Sequence, residues 1–183
     1  MLMRLELPHR YEVARASEAP AGISQPPVRY RPAHSYDVGS DVLLLEFRSP
    51  SSAPWIGSFA CRTSYSSGLS MVISSPDPMT AFVIAGGEGY SVQVDSPGHW
   101  QPLPVSPVVF AEVLPEQGLV VLGSGNALAV YDPKGLVWFR RVVENELKLR
   151  SISEDLIHFS GLDTEAGKTM CLSAALRSGK EIE

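Results

Sequence analysis

Long hydrophobic runs are missing from this chain of 183 residues. No stretch approaches the roughly 18 consecutive apolar residues of a membrane span. The start, MLMRLELPHRYEV, breaks at Glu6 and Pro8 before it builds the apolar segment of about 7 to 15 residues that a secretory signal needs. A cytoplasmic protein with no membrane partner is expected. Cysteine is scarce too: Cys61 and Cys171 stand far apart, so a disulfide framework is excluded. Two free, buried thiols in a reducing cytosol are expected, with a bridge between them left open. An excess of positive charge is also lacking, because 15 Lys and Arg face 20 Asp and Glu. The nearest basic groups, Arg140 with Arg141 and Lys148 with Arg150, interleave with Glu144 and Glu146. That is the pattern of a solvated face, so no nucleic-acid partner is expected.

Helical periodicity is nearly absent as well. The best candidate, TMCLSAALRSG at 169–179, alternates Met170, Leu172, Ala174 and Leu176, which is the period of a strand. Catalytic signatures are missing. His9, His34, His99 and His158 are scattered without metal-ligand spacing, and no G-x-S-x-G frame is present. The carboxylate neighbours Asp37 with Asp41, and Glu154 with Asp155, have no recognisable partner, and the serine-rich SPSSAP and TSYSSG read as turns. No catalytic residue, metal or cofactor is assigned. A non-enzymatic role is favoured.

Short strands punctuated by breakers fill most of the sequence. Residues 1–40, carrying Pro20, Pro26, Pro27 and Pro32, read as an extended N-terminal arm, and 41–183 as a single β-repeat domain. Within the latter, VLLLEF (42–47), LSMVI (69–73), AFVIA (81–85), YSVQV (90–94), VVFAEV (108–113), LVVL (119–122), LAVY (128–131) and LVWF (136–139) are rich in β-branched and aromatic residues. Gly, Pro, Asp and Ser bound them. An all-β fold follows, built from antiparallel meanders in a partial-propeller-like stack or a β-sandwich. GGEG (86–89) and GSGN (123–126) precede strand-like residues rather than a helix, so they read as hairpin turns and not as phosphate loops.

A repeat organises these strands. Residues 82–100 lie over 119–138 at an offset of 37, which matches Gly86 with Gly123, Asp95 with Asp132 and Gly98 with Gly135. A fainter copy begins at LIHFSG (156–161), and LRSGKEI (176–182) echoes DPKGLVW. The same offset sets Ser91 and Gln93 against Leu128 and Val130, so either a bulge resets the register or the repeat is partly accidental. Units of this length give three between Val42 and Glu183, too few for a closed propeller. An open stack with uncovered ends is expected.

Residues 118–142 resemble the blade repeat of quinoprotein-like propellers through Leu128, Val130, Asp132, Gly135 and Trp138, with Lys134 where that repeat has Thr. The wider stretch from Trp55 to Gly179 resembles a family of uncharacterised bacterial β-repeat proteins. The likeness lies in Trp55 to Phe59, Asp77 and Pro78, Gly87 to Tyr90, Leu114 to Leu119, and Leu176 to Gly179. The resemblance implies a stand-alone bacterial domain and assigns no activity.

The candidate binding residues are Trp55, Tyr90, His99, Trp100 and Trp138, all near turns, where aromatic side chains either pack between sheets or form a binding face. The function expected is a protein-interaction or accessory domain of immunity-like type, its partner another protein or a second copy of itself. The alternative is a small-molecule-binding protein or hydrolase with its site between the sheets. Convergent polar side chains in a pocket favour the alternative, and a shallow aromatic surface the first reading.

Overall fold

The computed structural model describes residues 1–16, 26–32, 38–62, 69–141, 145–163 and 168–182. His34, Asp37, Glu144 and the TSYSSG serines from 63 on lie outside them. The described strands form four sheets. Sheet I combines β2 (Glu12–Arg15), β4 (Val38–Ser49), β5 (Ser52–Arg62) and β3 (Val28–Tyr30) in that order. Sheet II runs β1 (Leu2–Arg4), β6 (Met71–Ser74), β7 (Thr80–Ala85), β8 (Glu88–Gln93) and β9 (Trp100–Pro102). Sheet III is the meander β10 (Phe110–Leu114), β11 (Leu119–Gly123), β12 (Ala127–Asp132), β13 (Gly135–Arg141). Sheet IV is the meander β14 (Asn145–Ile152), β15 (Leu156–Asp163), β16 (Lys168–Ala175), β17 (Glu181–Ile182). Pairing is antiparallel except for β1 on β6 and β3 on β5. Among the described residues the only helical element is a 3-10 turn at Pro115–Gln117. Among the described residues no helix is long and apolar enough to cross a membrane.

Three buried clusters join the sheets in series. Sheet I meets sheet II through Phe47, Phe59, Val83 and Tyr90. Sheet II meets III through Ile73, Phe82, Leu122 and Tyr131, and III meets IV through Val121, Val130, Trp138 and Phe159. The middle sheets therefore bury both faces. In β11, Val120 and Leu122 face sheet II while Leu119 and Val121 face sheet IV. That is why AFVIA and LVVL are unbroken apolar runs rather than alternating ones. Each of the eight sequence-read strands lies on a strand of the structure, as does 169–175. Both glycine clusters close β-hairpins, β7 to β8 and β11 to β12.

Four sheets are found rather than three because described parts of the first forty residues contribute strands β1, β2 and β3. The last two complete a sheet on the 42–62 hairpin. The two hairpins close alike: Ala85 pairs with Glu88 across Gly86 and Gly87, and Ser124 bonds Ala127 across Gly125 and Asn126. Equivalent turn residues such as Gly86 and Gly125 are thus 39 positions apart, an even step from 37 that leaves each side chain on the same face. Ser91 and Gln93 have not changed sides. They face sheet III, as Leu128 and Val130 face sheet IV.

Polar ties clamp the sheets where the turns meet. Arg4 of β1 donates to the Ala111 carbonyl and to Glu112 of sheet III, each at 2.9 Å. The Asp95 carboxylate, in the turn after β8, accepts from Ser49 and, at 2.6 Å, from Ser51 at the β4–β5 turn. These two hydroxyl bonds hold the Asp95 pKa below its ordinary value. The folded form thus prefers the charged carboxylate, and the clamp is intact above the ordinary carboxylate pKa and is lost as pH falls through the depressed value. Thermal melts of the native protein and Asp95→Asn between pH 2 and 7 are expected to differ most near neutrality and to converge in acid. A constant difference would place the clamp's effect elsewhere.

Cys61 and Cys171 are free thiols on sheets I and IV, with two sheets between them, and neither is buried as expected: Cys61 is half-buried and Cys171 exposed. His158 lies on the side of β15 opposite buried Ile157 and Phe159 and shares a 2.8 Å hydrogen bond with Ser173.

Candidate functional site

The junction between sheets II and III contains a cleft of about 400 Å³. Its wall on sheet II is Ser91 and Gln93 of β8 with His99, Trp100 and Gln101 at the start of β9; the Ser75–Thr80 turn closes one end. Opposite stands the β12–β13 hairpin, Tyr131 to Leu136. Phe82 and Tyr131 make the floor, their rings edge to face at 4.8 Å.

Each wall is fixed locally. Asp77 accepts the Met79 N–H at 3.1 Å and the Thr80 hydroxyl at 2.7 Å, so its carboxylate is spent on the turn. Asp132 likewise accepts the Lys134 N–H at 2.7 Å, and Gly135, at φ 117°, completes that hairpin. Ser91, Gln93 and Gln101 differ: among the described residues no hydrogen bond or ion pair engages their side chains. Tyr131 is 4% exposed, and no described hydrogen bond engages its hydroxyl. Burial raises its pKa above the usual phenol range, so at neutral pH it is a protonated donor set in an apolar floor. The cleft therefore offers a phenol, two amides and a hydroxyl without internal partners, flanked by His99, Lys134 and the edge of Trp100.

The sequence-read residues divide. His99 and Trp100 come together on the cleft. Trp55, Tyr90 and Trp138 are buried between sheets and away from it. Their polar atoms cross to a neighbouring sheet: Tyr90 Oη donates to the Ala60 carbonyl at 2.6 Å. Trp55 Nε1 donates to the Val94 carbonyl at 2.9 Å, and Trp138 Nε1 to the Leu176 carbonyl at 2.7 Å. A buried indole or phenol needs such a partner, which makes these three structural latches. Gln93, Gln101 and Tyr131 escaped the sequence reading. Part of a signal lay beside them: at the 39-residue step Ser91 stands against Val130, a polar residue at an inter-sheet position that the next sheet fills with an apolar one.

Among the described residues no three His, Cys, Asp or Glu side chains converge as a metal site. No protein-family model matches the chain, and no curated protein matches it significantly.

Proposed function

We propose that the protein is a non-catalytic binding module that holds a small, uncharged polar ligand in the cleft between sheets II and III. The observation that supports this reading most is the unengaged Tyr131 hydroxyl in a floor otherwise made of packed rings. Among the described residues only Ser52 Oγ is a buried side-chain polar atom without a partner, so the Tyr131 hydroxyl is open to the cleft, where a ligand acceptor can reach it. Size agrees, since ligand clefts commonly enclose about 300–1,000 Å³. The carboxylates of Asp77 and Asp132 accept hydrogen bonds within their own turns, and amides and hydroxyls stand beside Lys134 and His99 as recognition groups. Screening a metabolite library by thermal shift tests the reading. A ligand at about a hundred times its Kd stabilises the fold by about 2.7 kcal/mol. Tyr131→Phe is expected to weaken that ligand by about tenfold, the worth of one hydrogen bond. A ligand whose affinity is indifferent to both Tyr131→Phe and Gln93→Ala binds elsewhere.

A second reading, the interaction module, has its own support. The three core clusters join I to II, II to III and III to IV, and none among the described residues covers the outer faces of sheets I and IV. In this reading a second copy of the chain covers them, in keeping with Val42, 48% exposed on the outer side of β4. Sedimentation across a wide concentration range is expected to give a dimer, and Val42→Lys to weaken it. A strict monomer refutes it.

A further inference from the structure

Why does the cleft lie at this junction and not at the other two? At the I–II and III–IV junctions an indole fills the space, and its N–H is bonded to the residue that follows the third strand of the meander ahead: Trp55 to Val94 after β8, Trp138 to Leu176 after β16. The corresponding residue in sheet III is Pro133, after β12, and it lines the cleft. Strand pairing identifies what stands in place of the indole. Trp138 of β13 pairs with Val130 of β12, whereas at the equivalent place in sheet II Gln101 of β9 pairs with Ser91 of β8. At the III–IV junction the ring of Trp138 lies so close over Gly179 of sheet IV that a Cβ there would come within 2.7 Å of it; over Gly135 of sheet III, as over Gly98 of sheet II, a Cβ would meet nothing within 4 Å. Sheet II carries Gln101 where sheet III carries its tryptophan latch, and the cleft lies at that place.

We infer that the ligand of this cleft is a planar, uncharged heteroaromatic ring bearing a ring N–H, of the size of indole or a nucleobase, bound in the place of the missing indole. This deepens the proposed function and rests on it. A slot between a glycine turn and a strand accepts a flat ring as its counterpart on sheet IV accepts Trp138. Ring faces suit the Phe82 and Trp100 sides, and the ring edge meets the amides of Gln93 and Gln101. The Pro133 carbonyl, which accepts no hydrogen bond among the described residues, stands where the N–H of a latch would point.

Titration calorimetry on the full chain with indole, N-methylindole, guanosine and methyl glucoside tests the assignment. Indole or guanosine is expected to bind. N-methylindole is expected to be about tenfold weaker than indole, having lost one hydrogen bond. Methyl glucoside is expected not to bind. Gln101→Trp is expected to abolish binding and raise Tm, and its added indole N–H to exchange slowly with solvent, like those of Trp55 and Trp138. Should that variant fail to fold, Ser91→Val, which fills the slot with the residue of sheet III, is expected to abolish binding in its stead. Binding of methyl glucoside without the rings overturns the ring assignment and leaves the binding cleft standing. Failure of every probe on folded protein also overturns the ring assignment. If the library screen, too, finds no ligand sensitive to Tyr131→Phe, the proposed function falls with it.

Discussion

Replacing Trp138 with alanine is expected to cost about 3–5 kcal/mol of unfolding free energy, the largest effect of any single truncation outside the aromatic cluster between sheets I and II. The indole is 8% exposed and fills the III–IV junction beside Leu128, Val130, Ile157 and Leu176. Removing it opens a void between two sheets and strips the Leu176 carbonyl of its 2.7 Å donor. The surroundings have little freedom to collapse, because Gly179 presents only backbone to the ring. Trp138→Phe is expected to keep most of the packing and lose about 1–2 kcal/mol through the missing N–H. Urea unfolding monitored by circular dichroism measures both. A cost below about 1 kcal/mol for Trp138→Ala would mean that sheet IV does not depend on the latch, and would also weaken the case that the II–III cleft is a latch position left empty.

The strands were legible because sheets II and III are covered on both sides. Burial of both faces turns β7 and β11 into continuous apolar runs, and Gly86, Gly125 and Gly135 mark the reversals between them. Of sheet I only β4 was legible, as VLLLEF, since the rest is assembled around it from distant pieces: Val13 of β2 pairs with Phe47, and Arg29 of β3 lies parallel to Ser58. Neither short strand carries an alternation long enough to announce itself, and nothing local chooses its partner. The five candidate aromatics divided for a reason that local sequence does not encode. Trp55, Tyr90 and Trp138 each find a carbonyl across a junction, which lets them be buried, while Trp100 at the start of β9 leans on Tyr30 of sheet I, 5.6 Å away, and shows its other side to the cleft. The cleft itself was written as a discrepancy. Polar Ser91 stands where the next sheet has Val130, and that break lies in the wall of the site.

Gly123→Ala is expected to destabilise the fold by about 1–3 kcal/mol although alanine suits a strand better than glycine. Gly123 ends β11 directly opposite Phe110 of β10, and the phenyl ring lies across the glycine where no side chain stands. A Cβ at position 123 would sit 2.0 Å from two atoms of that ring, a separation that only movement of the ring can relieve. Phe110 packs against the III–IV cluster, so swinging it outward exposes apolar surface and unseats its neighbours. Ring and glycine form one unit, an aromatic covering a strand position that would otherwise be bare backbone. A double-mutant cycle isolates their coupling. Phe110→Ala alone is expected to destabilise through lost burial. In that background Gly123→Ala is expected to become neutral, or stabilising by about 0.5–1 kcal/mol, as the conformational freedom of the unfolded glycine is removed without a clash. Equal costs for Gly123→Ala in both backgrounds would show that the ring does not oppose the methyl group, and that the glycine is there for the backbone alone.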